Sequence, residues 1–215
     1  MRECLEGQTI AEGDGSVGKG RLEAFSDGVL AIIVTIMVLE LKVPEGTTFS
    51  ALVPLVPVFG SYLISFVYVA TYWNNHHHLF LATERINAGV LWANMGLLFC
   101  LSLIPFGTAW MGETHFAAIP TAVYAFILLV CGAAYGVLQS AILAAQGRDS
   151  LLGKALGQDS KGKVTVAILI AAIVSAFWIP LLAAALCGVV DVIWVVPDRR
   201  IERALAEAED AAGGT

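Results

Sequence analysis

The chain has 215 residues, of which 58% are hydrophobic and only 14% charged, with a mean hydropathy of +0.78 and a formal net charge of −6. So few charges cannot coat a soluble globule, and no basic patch with interleaved aromatics supports nucleic-acid binding. What remains is an integral membrane protein whose length suits one domain.

Residues 1–20 are polar and glycine-rich. They lack the basic start and immediate apolar core of a signal peptide, so they read as a flexible cytosolic tail. Apolar segments follow at 22–43, 51–73, 86–111, 117–145, 162–178 and 180–197. Between them stand Pro44-Glu45-Gly46, the stretch from His76-His77-His78 to Arg85, Met111 to His115, and Gln146 to Lys163. The expected fold is all-α and polytopic, with six transmembrane helices in a domain at 21–197. A charged tail follows at 198–215; its apolar residues are mostly alanine, so it reads as a short solvated cytosolic helix.

The last division is the weakest, because residues 164–196 run apolar over 33 positions with Asp191 as the only charge. That is about 50 Å of helix at about 1.5 Å per residue, against roughly 30 Å of hydrocarbon. Pro180 is the natural turning point. With six spans, eleven of the twelve Lys and Arg residues fall on one side, and Lys42 alone falls on the other. Such asymmetry places both termini in the cytoplasm of a cell-membrane protein. Five spans would export Arg199, Arg200 and Arg203.

Cys100, Cys131 and Cys187 lie inside apolar runs and Cys4 in the polar start, at spacings that match no metal motif. No metal site is expected. They read as small buried apolar residues.

The first span opens with Arg21-Leu-Glu-Ala-Phe25-Ser26-Asp27-Gly28. At 100° per residue, Phe25, Gly28, Ile32, Thr35, Ile36, Leu39 and Val43 share one stripe, with Asp27 roughly opposite. An intramembrane carboxylate there needs donors such as Arg21, Trp73 or a nearby histidine. Read alone, the stripe supports ordinary helix packing.

The same segment resembles the signature of the potassium channels related to transmembrane protein 175: Arg-x-x-x-Phe-Ser-Asp, then Gly or Ala, then an apolar helix. The second span ends in Tyr72-Trp73-Asn74-Asn75-His76-His77, which is similar to that family's tryptophan–histidine element. Bacterial members carry one six-helix unit per chain and assemble as homotetramers, while animal members carry two units. This chain has room for one, as in a bacterial member. The resemblance implies that first helices of four copies surround an ion path. Ile32 would form the tightest ring, Thr35 a hydroxyl layer, and Ile36 and Leu39 further apolar rings. It also implies that Trp73 and His77 hold the first helix from the second, with the exact histidine of the run left open.

Such a pore has no Thr-Val-Gly-Tyr-Gly segment and so no carbonyl cage. An apolar neck instead penalises the more strongly hydrated sodium ion, giving modest selectivity for potassium. The implied function is a potassium-selective leak channel with potassium as permeant ion and no cofactor. Proton conduction and secondary transport are the alternatives. A transporter predicts paired broken helices and mid-membrane charges, and no inverted repeat is visible. An enzyme would need a catalytic pair at mid-depth, and none is present.

Three other polar features have two readings each. Adjacent histidines point about 100° apart on a helix, so His76, His77 and His78 read as an interfacial hydrogen-bonding cluster rather than a metal grip. Glu40, beside Lys42, is either an interfacial anchor or part of a cation-attracting ring at the pore mouth. Asp191 reads as structural, snorkelling to the cytosolic end, over a proton relay.

Overall fold

The computed structural model describes residues 15–147 and 160–195, and every regular element among them is helical. Helix α1 spans Gly15–Leu39. A 3₁₀ turn at Phe49–Leu55 leads into α2, Val56–Leu81. Then come α3 (Ala88–Leu101), α4 (Ile104–Glu113), α5 (Ala118–Gln146), α6 (Ser160–Ser175) and α7 (Pro180–Val195). The tail readings at 1–14 and 198–215, and Cys4 with them, lie outside the described residues. Residues 15–20, expected in the tail, form the first turns of α1.

Helices α3 and α4 together make the third span. Pro105 has no N–H to offer the carbonyl one turn back, so the ladder gives way before it. There the backbone bonds shift, with Leu103 N–H reaching the Cys100 carbonyl at 3.2 Å. The second span runs further than its composition suggested. The helix continues through His76, His77 and His78 to Leu81 instead of ending before them.

Among the described residues, four helical stretches are long and apolar enough to cross a bilayer: Gly18–Leu39, Phe49–Leu81, Ala88–Glu113 and Ala118–Gln146. Helices α6 and α7 have 16 residues each, about 24 Å at about 1.5 Å per residue and short of the hydrocarbon thickness. They form a hairpin that turns at 176–179, just before Pro180.

Cross-links show which ends lie together. Lys19 Nζ at the start of α1 donates to the Thr83 carbonyl beyond α2 at 2.8 Å. Trp194 near the end of α7 donates to Thr165 Oγ1 near the start of α6 at 2.7 Å. At the opposite end, Lys42 pairs with Glu113 at 2.6 Å. The first three spans therefore alternate in direction, as do α6 and α7.

The densest packing lies where α5 meets its neighbours. Leu97, Leu101, Ile104, Met111, Tyr124 and Leu128 are fully buried there. In a membrane, apolar contact gives little net drive for helices to associate, so close fit and interhelical hydrogen bonds carry more of the specificity. Ser65 Oγ lies 2.6 Å from Thr108 Oγ1 and 2.9 Å from Tyr124 OH, a buried hydroxyl cluster joining α2, α4 and α5. Glycine permits the closest approach. A Cβ on Gly112 would collide with Ser61 Oγ and stand 2.9 Å from Val58 Cα of α2. Cys131 and Cys187 are buried, and Cys100 is partly exposed.

Candidate functional site

Helix α1 has two unlike faces. Leu22, Ser26, Leu30, Ile33 and Met37 recur at helical spacing and are buried against the rest of the chain. The reverse face is bare: Phe25, Gly28, Ile32, Thr35, Ile36 and Leu39 are all exposed, Ile32 at 58% and Leu39 at 80%. Val43, the last residue of the expected stripe, lies beyond the helix end. A Cβ on Gly28 would meet nothing within 4 Å. Among the described residues of one copy, this face has no partner.

Thr35 makes the local bond open to a helical hydroxyl. Its Oγ1 donates to the Ile32 carbonyl at 2.9 Å. With the proton committed to the backbone, the oxygen offers only lone pairs outward.

The polar signature ties α1 to its neighbours. Trp73 Nε1 donates to Asp27 Oδ1 at 2.9 Å, so the tryptophan is the carboxylate's partner on α2. Arg21 is exposed in the same part of α1. Ser26 Oγ donates to the Leu22 carbonyl and accepts from Asn94 Nδ2, both at 2.9 Å. Asn94 Oδ1 lies 2.9 Å from His76 Nε2. The amide nitrogen is already the donor to Ser26, so the histidine must donate, which fixes its Nε2–H tautomer. A relay thus runs His76, Asn94, Ser26, Leu22 carbonyl, across α2, α3 and α1.

Of the three histidines in the run, His76 is the one that hydrogen-bonds across helices, to Asn94. His77 stacks on Trp73 with ring centroids 6.1 Å apart and planes 11° from parallel. His78 Nδ1 is enclosed without a hydrogen-bond partner among the described residues. The three rings have separate surroundings, and among the described residues no three His, Cys, Asp or Glu side chains converge as metal ligands.

Asn94 escaped sequence reasoning, although it is the only polar side chain within Ala88–Leu101, which is the signal that could have found it. At the other end, Glu40 is exposed just past α1. The Glu113 carboxylate hydrogen-bonds Lys42 and holds its ammonium above the ordinary lysine value. Asp191 does not snorkel: it is 4% exposed, and its Oδ1 has no hydrogen-bond partner among the described residues.

Residues 21–105 match the family described as endosomal/lysosomal potassium channel TMEM175. A Chryseobacterium protein named a potassium channel is 48% identical over 189 residues, covering 88% of this chain and 98% of that one. The human protein named endosomal/lysosomal proton channel TMEM175 is 37% identical over 99 residues, 40% of this chain and 19% of that protein. The crystal structure of a TMEM175 homologue from Chamaesiphon minutus, titled a lysosomal potassium-selective channel, superposes with a TM-score of 0.73 at 27% identity. It covers 85% of this chain and 98% of that one. These relatives are channels and not enzymes. With near-complete coverage of a relative at 48% identity, and with the polar signature of α1 in place, this membrane protein belongs to the TMEM175 family.

Proposed function

We propose that the chain is a potassium-selective leak channel, formed as a homotetramer in which four copies of α1 surround the ion path. One observation carries this reading: α1 buries one face on its own subunit and leaves Ile32, Thr35, Ile36 and Leu39 uncovered. A single copy cannot enclose a path with one helix. Rotational symmetry closes it by bringing the same face of each copy to a common axis. Relatives named potassium channels support the choice of ion.

In that assembly Ile32 forms the narrowest ring, Thr35 an acceptor layer one turn on, and Ile36 and Leu39 further apolar rings. An ion crossing the Ile32 ring gives up water without receiving ligands. Sodium holds its water more tightly than potassium and meets the higher barrier. The basic count sets the orientation, with both termini in the cytoplasm of the cell membrane.

The test is ion flux into liposomes holding the purified chain, first under a potassium gradient and then under sodium. Faster potassium flux supports the reading, and equal rates or none would sink it. Proton conduction is the second reading, favoured by the match to animal relatives named proton channels. A pH-sensitive dye in the same liposomes separates the two.

A further inference from the structure

A cavity of about 380 Å³ lies between α2, α5, α6 and α7, well away from the bare face of α1. That volume falls within the range of small-molecule sites. Aromatic rings from three helices line it: Tyr68 and Tyr72 of α2, Tyr135 of α5 and Trp194 of α7. Leu129, Ala133, Val166 and Leu169 supply apolar wall.

Most polar groups around it are engaged with each other. Tyr68 OH donates to the Leu128 carbonyl at 2.9 Å, and Tyr135 OH to the Asn75 carbonyl at 3.1 Å. Asn75 Nδ2 donates to the Thr71 carbonyl at 2.8 Å, and Trp194 Nε1 to Thr165. Asp191 is the exception. It lines the cavity, is 4% exposed, and its Oδ1 has no partner among the described residues. An enclosed carboxyl oxygen without a donor is costly, so what the cavity lacks is a donor for it, a place an ammonium N–H would fill.

We propose that this cavity binds a small amphipathic organic ammonium ion, its N–H groups on the Asp191 carboxylate and its apolar body against the surrounding rings. A cation over the Tyr faces gains from the ring quadrupole, the Trp194 ring already having Lys161 Nζ 5.9 Å from its centroid, and an apolar body fits the wall. A bare inorganic cation would need a cage of oxygens, which Leu, Ala and Val walls do not offer. A quaternary ammonium has no N–H for Asp191. Lys163, the other charged residue on the lining, is exposed at the rim.

The probe is tryptamine, measured by titration calorimetry on the purified full-length chain, beside tryptophol, which replaces the amine with a hydroxyl. Wild type should bind tryptamine saturably, one per chain, and about tenfold or more tighter than tryptophol. Asp191→Asn should weaken tryptamine by about the same factor and leave tryptophol unchanged. Gly136→Leu is the second variant, because a Cβ there meets nothing within 4 Å and the added bulk grows into the cavity. It should abolish binding of both at an unchanged elution volume. Equal affinity for the two probes, no saturable binding, or tryptamine binding unaltered in a well-assembled Asp191→Asn or Gly136→Leu protein overturns the proposal. So does binding that emerges only in Lys163→Ala, since Lys163 would then be the occupant.

Discussion

Trp73 donates its indole N–H to the Asp27 carboxylate across the α1–α2 boundary at 2.9 Å, while its ring stacks on His77 one turn further along α2. The signature aspartate is thus fixed from the second helix. Its carboxylate points away from the bare stripe of α1.

Trp73→Phe separates these two roles. The ring remains to stack, but Asp27 loses its donor. A hydrogen bond to a charged group contributes about 1.5–3 kcal/mol, and the lower end applies here because both side chains are exposed. The expected outcome is a lower melting temperature of the purified oligomer with an unchanged potassium-over-sodium reversal potential. Asp27→Asn should behave in the same direction, harming folding or assembly more than selectivity. A well-assembled variant of either kind with reversed ion preference would place Asp27 in the path.

Asn94→Leu strands two buried partners at once, His76 Nε2 and the Ser26 hydroxyl oxygen. Leaving a buried polar group unmet costs about 1–3 kcal/mol. Removing His76 as well should cost less than the two single losses added, because the second change deletes a group already orphaned. Additive losses in thermal unfolding of Asn94→Leu, His76→Phe and the double variant would show that the relay does not act as a unit.

How much of this could be read from the chain differs residue by residue. The signature at 21–28 is legible because polar groups at the start of an apolar helix are costly without partners. The bridging histidine is not legible. His76, His77 and His78 differ by about 100° of helix rotation, and only the position of Asn94 on another helix decides between them. The same cause hid the end of α2: three histidines look like a loop until one is seen to be bonded inward. Asp191 lies four residues before the end of α7, close enough to suggest an exposed carboxylate, yet the packing of α2, α5 and α6 around it closes that route. Pro180, by contrast, announces its helix break in the sequence, whereas the break before Pro105 falls inside the single expected span 86–111.

Gly112→Ala tests the closest helix approach. The new methyl would collide with Ser61 Oγ and crowd Val58 Cα, and such overpacking typically costs about 1–3 kcal/mol. Adding Ser61→Gly should recover part of the loss, since it clears the side chain but not the backbone atom. Full recovery of the melting temperature would mean that the α2 backbone moves aside.

The bare stripe carries the most consequential prediction. Ile32, Thr35, Ile36 and Leu39 follow the i, i+3, i+4, i+7 spacing of one helix face, and none of them is covered by the described helices of the chain. If four copies bring Ile32 to a common axis, Ile32→Asn puts amides where the neck was dry. Water then enters, dehydration no longer separates the ions, and the reversal potential under mixed potassium and sodium should move toward that of an unselective pore. Thr35→Val is subtler. Valine matches threonine in shape but loses both the bond to the Ile32 carbonyl and the outward lone pairs. If that bond were the hydroxyl's whole role, selectivity would be untouched and only stability would shift, by about 1 kcal/mol or less. If the oxygen also meets a partly dehydrated ion, selectivity falls at unchanged assembly. Ile32→Asn and Thr35→Val therefore report different parts of one mechanism: the barrier at the ring and the ligand above it. Intact oligomers of both with wild-type reversal potentials would move the filter off α1 altogether.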